Sequence, residues 1–156
     1  MNRDLYRDKD YRLLKLINHT GEAVFKVRKK ELEKYGLSPR QAAVLFAIKN
    51  ISDKATSAEI ARFLFREHHT VSGILNRMEK DGLVRRVKDP DRKGATRIVL
   101  TDKGEQAYRE SSKRDALHEI ASSISEEEQE QLSLSLNKIR NAAFIKLGMH
   151  NKPPFP

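Results

Sequence analysis

The chain has 156 residues, enough for one domain with a sizeable core or one domain with helical extensions. Lys and Arg number 31 against 22 Asp and Glu, a formal charge of +9 with a pI near 9.8; this fits a polyanionic partner or simply a basic soluble surface. The absence of cysteine excludes disulfides, thiolate metal sites, cysteine nucleophiles and thiol redox sensing, and it suits a cytoplasmic protein. No stretch approaches the about 20 apolar residues of a membrane span, and the charged N-terminus has no apolar run of signal-peptide length, so no membrane partner is expected.

The first long pattern covers residues 11–35. Leu13, Leu14, Ile17, Val24, Phe25 and Leu32 recur at helical spacing, and Gly36 is the stop signal. A second helix is expected over residues 39–50. Ser38 is its N-cap, Pro39 fits the first position, and Gln41 is placed to bond back to the cap. Thr56 and Glu59 form a capping box for a short helix over residues 57–65. The turn "REHH" then leads to another short helix that stops at Gly82, which makes a helix-turn-helix.

Beyond Gly82 the period changes. "LVRRVKD" and "TRIVLT" are short, β-branched and partly alternating, with the turn formers Asp89, Pro90, Asp91 and Gly94 between them. This predicts a β-hairpin with a basic tip. Thr101 then caps a long helix running through Ala107, Leu117 and Ile120, and Ser125 with Glu128 opens the last helix. That helix carries Leu132, Leu136, Ile139, Ala143 and Leu147 on one stripe. Long amphipathic helices at both ends cannot bury all their stripes on a small central module, so a symmetric dimer joined through them is expected.

The helix after the turn holds most of the chemistry. At about 100° per residue, Val71, Ile74, Leu75 and Met78 face inward. His69, Ser72, Gly73, Asn76 and Lys80 face outward, with Thr70 and Arg77 at the edges. This outward arc holds hydrogen-bonding groups, no acid and no large apolar side chain. It suits a major groove: Asn pairs with adenine, Ser and Thr reach base edges or phosphates, and Lys80 and Arg77 suit phosphates. An ordinary solvated helix face has the same composition. Gly73 costs about 1 kcal/mol of helix stability relative to Ala, and a closer backbone approach is the expected gain. The hairpin adds Arg85, Arg86, Lys88, Arg92, Lys93 and Arg97; a basic hairpin after a helix-turn-helix is a wing whose tip can enter a minor groove.

The run from "SPRQAAVLFAI" through "TVSGILNRMEKDGLVRRVKDPDRKG" to "VLTDKGEQAY", residues 38–108, resembles the MarR family of winged helix-turn-helix transcriptional regulators. The resemblance implies a mainly α fold with a small β-wing. It divides the chain into an N-terminal dimerisation helix (1–36), a DNA-binding domain (37–100), C-terminal dimerisation helices (101–150) and a tail (151–156). It implies a homodimer on a pseudopalindromic operator in double-stranded DNA, usually a repressor released by a small anionic or aromatic effector, with no resident cofactor. It places DNA contacts at His69, Thr70, Ser72, Asn76 and Arg77 and at one of Arg92 and Lys93, with Gly73 and Lys80 on the same face. Ser38 and Arg40, before the second helix, are further candidate backbone contacts; the alternative is a capping role alone, which suits Ser38 better. Gly73 stands where members of the family often carry a long polar residue. The wing is one residue longer than the common form, which leaves open whether Arg92 or Lys93 takes the arginine position.

The adjacent His68 and His69 diverge by about 100° on a helix, whereas helical zinc pairs use i, i+4 spacing, so no metal site is expected. No P-loop, dinucleotide loop, nucleophile elbow or HExxH motif is present, so the chain is not expected to be an enzyme. An effector is expected against Tyr11, Ile17, His19, Phe25, Phe46 and Arg62, on helices that should meet the reading head; core packing is the alternative role for each. The alternatives to a DNA-binding repressor are a winged-helix protein-interaction module without DNA readout and a metal-sensing regulator.

Overall fold

The computed structural model describes residues 7–90, 94–149 and 153. In chain order the elements are α1 (Lys9–Glu33), α2 (Pro39–Ile51), a 3-10 turn (Ser52–Lys54), α3 (Ser57–Phe63), α4 (His68–Lys80), β1 (Val84–Lys88), β2 (Thr96–Leu100), α5 (Asp102–Ser111), α6 (Asp115–Ala121) and α7 (Glu126–Lys146). The fold is a winged helix-turn-helix set between long terminal helices, as expected.

The helix starts follow their local chemistry. Ser38 and Gln41 make a full capping box for α2, and Ser125 and Glu128 make one for α7. Thr56 accepts the Glu59 amide, but the Glu59 carboxylate pairs with Arg62, so only half of the expected box forms. Gly82 closes α4 at φ +70°, in the left-handed region that glycine occupies without a Cβ penalty. β1 and β2 pair antiparallel with Val84 opposite Leu100 and Arg86 opposite Ile98. The Ile98 amide donates outward to the Ala55 carbonyl at 2.7 Å, which ties the hairpin to the segment before α3.

The core lies between these elements. Val44 and Leu45 of α2, Ile60 of α3, and Val71, Leu75 and Met78 of α4 are fully buried, with Ile98 of β2 and Leu32 of α1 closing the cluster. Most of α1 and α7 stays outside it. Leu13, Leu14 and Leu16 on α1 are exposed, as are Leu132, Leu136 and Leu147 on the predicted α7 stripe.

Three expectations need correction. The single long helix after the wing is two helices, α5 and α6, broken at residues 112–114, where Arg114 takes a left-handed φ of 56°. The break is supplied with partners by α1. Arg28 pairs with Glu31 and donates to the Ser111 carbonyl at the end of α5, while Glu31 accepts the Ala116 amide at 3.0 Å at the start of α6. One ion pair thus serves orphan backbone groups on both sides of the interruption. Second, α3 ends at Phe63 rather than at 65, because Phe65 turns to φ 50° and sets its ring at a tilt against Phe144, with centroids 5.1 Å apart. Third, His68 is the first residue of α4 rather than part of the turn, and Glu67 is the N-cap.

Burial at this junction works to raise the Glu31 carboxyl, but the Ala116 amide, the Arg28 hydrogen bond and the charges of Arg28 and Lys34 outweigh it and hold Glu31 below its ordinary value of 4.5. A carboxyl depressed by folding contributes stability that is complete above its unfolded pKa and lost as pH falls through the folded one. Thermal unfolding followed from pH 7 down to pH 3 should therefore show Glu31→Gln less stable than wild type near neutrality, with the gap narrowing below about pH 4.5. A gap independent of pH would contradict this role. Gly104 in α5 lies so close to the Leu83 carbonyl that a Cβ would collide with backbone. Gly104→Ala should lower stability by about 1–3 kcal/mol in denaturant unfolding.

Candidate nucleic-acid interface

The geometry of this surface follows from how α4 is seated. Val71, Leu75 and Met78 are fully buried, and Ile74 is half-buried beside them. A helix anchored on that side must present the other. His69, Asn76, Arg77 and Lys80 are exposed there, and Thr70, Ser72 and Gly73 are half-buried. No acid stands in the first turn of α4, and Glu67 makes no side-chain capping bond, so the leading amides keep their capacity for an outside acceptor.

The far end of α4 is fastened. Lys103 donates to the Asp81 carbonyl at 2.7 Å, and the Thr101 hydroxyl donates to the Gly82 carbonyl at 2.6 Å while accepting the Gly104 amide. The carbonyls just past the end of α4 are thus held by the first turn of α5. Sequence patterns register Thr101 as a cap for α5, but not its second bond back to Gly82.

A Cβ built on Gly73 would meet nothing within 4 Å. Packing within the chain therefore does not impose glycine at this position. Arg40, exposed at the start of α2, shares a groove with Arg77, Lys29, Ser38 and Ile74, so it borders the α4 face from the α2 side.

The basic residues of the hairpin are not equivalent. Arg85 and Lys88 are exposed. Arg97 turns inward to the Asp53 carbonyl at 3.0 Å and is removed from the outer surface. Arg86 reaches across to α4, where it pairs with Glu79 and donates to Asn76 Oδ1 at 2.8 Å. Nothing in the local sequence marks this link, because it joins a strand to a helix face. Arg92 and Lys93 lie outside the described residues.

The expected effector residues are not gathered into one cavity of the chain. Tyr11 and His19 line one groove along α1, and Ile17 and Phe25 line another. Phe46 packs against the Phe63 ring and lies under the Arg114 guanidinium, 4.9 Å from its centroid. Arg62 pairs with Glu59 and borders a groove at the α3–α4 turn with Phe65, Thr70 and Met149. His68 and His69 are both exposed, and among the described residues no three of His, Asp and Glu come together as a metal site.

A family model for the MarR family matches residues 35–93, which include α2 to α4 and β1. An uncharacterized HTH-type transcriptional regulator of Bacillus subtilis strain 168, YwoH, is 32% identical over 98 residues, covering 63% of this chain and 70% of that protein. The chain belongs to the MarR family. Its fold extends the match beyond the matched segment. The organohalide sensing RdhR-CbdbA1625 transcriptional regulator, solved with 2,4-dichlorophenol bound, superposes with a TM-score of 0.87 at 28% identity, covering 100% of this chain and 93% of that one. MepR of S. aureus, solved as a complex with DNA, gives a TM-score of 0.74 at 26% identity, covering 81% of this chain and 95% of that one. This MarR-family protein is a transcriptional regulator and not an enzyme. No helix among the described residues is long and apolar enough to cross a membrane.

With open space around its Cα, Gly73→Ala should raise the stability of the free protein by up to about 1 kcal/mol, the helix-propensity difference. Thermal or urea unfolding measures it, and a loss of stability would reveal a packing role within the fold.

Proposed function

We propose that the protein is a ligand-responsive repressor that binds a pseudopalindromic operator as a homodimer, with α4 in the major groove and the wing beside it. The observation that carries this reading is the hydrogen-bonding outer face of α4, with no acid in its first turn, fixed outward by the burial of Val71, Leu75 and Met78. His69, Thr70, Ser72, Asn76 and Arg77 are the proposed contacts to base edges and adjoining backbone, and Gly73 gives the close approach. Lys80 and Arg40 are proposed to neutralise phosphates, and Arg92 or Lys93 to enter the minor groove. The net charge of +9 supplies the long-range attraction.

The exposed leucines of α1 and α7 support the homodimer. A monomer would leave Leu13, Leu14, Leu16, Leu132, Leu136 and Leu147 in water on its two terminal helices, and a two-fold interface buries the same patch on both copies. In this reading α1 and α5–α7 form the dimerisation region around the 37–100 DNA-binding unit. A small aromatic or anionic effector is proposed to bind where these helices meet the reading head. The 2,4-dichlorophenol on the organohalide sensing neighbour supports an aromatic one.

The test is selection of bound sequences from random duplex DNA, followed by affinity measurements over a range of salt. A palindromic consensus, bound by a species of twice the chain mass in sedimentation, is the expected outcome. Affinity should fall steeply with salt, Arg92→Ala should flatten that slope, and Gly73→Ala should weaken binding while the fold remains intact. A folded protein that enriches no sequence and binds DNA without salt dependence would contradict the proposal.

A further inference from the structure

Asn76 sits at the centre of the proposed reading face, and its orientation is already set in the free protein. An asparagine amide offers one acceptor oxygen and two donor protons, whereas a guanidinium has only donors. The Arg86 Nη2 contact at 2.8 Å can therefore engage only Asn76 Oδ1. Arg86 is itself held by Glu79, whose carboxylate takes the other terminal nitrogen of the fork. Glu79 lies one turn along α4 from Asn76, so helix and strand together hold the arginine between two acceptors on neighbouring positions. Among the described residues no acceptor takes the Asn76 Nδ2 protons.

The consequence for readout is specific. Pairing of asparagine with adenine needs the side-chain oxygen to accept from adenine N6 while the amide donates to N7. Here one lone pair of the oxygen is taken from the wing side, which turns the oxygen toward Arg86 and leaves the two Nδ2 protons as the free end of the side chain. Guanine offers two adjacent acceptors, O6 and N7, in the major groove, whereas adenine would set its N6 amino group against the Asn76 amino group. We propose that Arg86 is a positioning residue that fixes Asn76 as a hydrogen-bond donor, so that Asn76 reads guanine rather than adenine, with Glu79 holding Arg86 in place. This inference rests on the DNA-binding reading and adds the base that one of its residues recognises.

The experiment is selection from random duplex DNA with wild type, Asn76→Ala, Arg86→Ala and Glu79→Ala, each checked for folding by thermal unfolding. The base pair whose preference Asn76→Ala erases is the one Asn76 reads. The expected result is G·C at that pair in wild type, with a shift toward A·T in Arg86→Ala and Glu79→Ala while the rest of the half-site is unchanged. A merely structural role for Arg86 would weaken binding without moving that preference. An A·T pair in wild type, no pair erased by Asn76→Ala, or an unshifted preference in both other variants would overturn the inference. Loss of all binding by a folded Arg86→Ala would also overturn it, by making Arg86 a direct contact. If Arg86→Ala fails to fold, Glu79→Ala decides alone, since it frees the arginine without removing its charge. Wild type that enriches no sequence would instead contradict DNA readout itself.

Discussion

Burial of one side of α4 is the constraint on which the rest of the molecule depends. Val71, Leu75 and Met78 are completely removed from water, and each such side chain contributes on the order of 1.5–3 kcal/mol when buried. A roll of α4 about its axis would bring these groups into water and Asn76 or Lys80 into the core, so the helix has one rotational setting. Its axial position is fixed as well, because Lys103 and Thr101 hold the carbonyls of Asp81 and Gly82 just beyond its last turn. The polar face is outward because the apolar face has nowhere else to go, and a fixed face is what base recognition requires.

The terminal helices depend on the same core through few attachments. α1 enters it through Leu32, and the Arg28–Glu31 pair joins α1 to the break between α5 and α6. Arg114, at that break, lies over Phe46 of α2. Phe144 of α7 meets Phe65, the residue whose left-handed backbone shapes the turn before α4. The helices proposed to form the dimer therefore touch the reading head at a charged junction and at an aromatic pair beside its turn. A ligand or a partner copy that displaced either contact would act directly on elements that set α4.

Features specified by neighbouring residues were legible in the sequence. The Ser38–Gln41 and Ser125–Glu128 boxes, the stop at Gly82 and the inward arc of α4 all follow from spacings of a few residues. The features that sequence could not show depend on distant partners. Thr101 also binds the Gly82 carbonyl, 19 residues away, and the Arg28 and Glu31 bonds at the α5–α6 break span 83 and 85 residues, so the periodicity through Ala107 and Leu117 looked unbroken. The wing shows the same limit in its chemistry. Its arginines are alike in composition, yet Arg97 folds onto Asp53, Arg86 onto Asn76 and Glu79, and Arg85 stays outside. Counting basic residues overstates how many can meet DNA, because tertiary contacts claim some of them first.

The central claim is that the outer face of α4, and not simply the basic charge of the protein, meets the bases. A photoreactive side chain at position 72, on that face, tests it most directly when the protein is bound to its selected operator. The account predicts crosslinks to bases in the major groove of each half-site, and none from the same group placed at exposed Ser133 on α7. Tight binding with no crosslink from position 72, or with crosslinks only from α7, would contradict it.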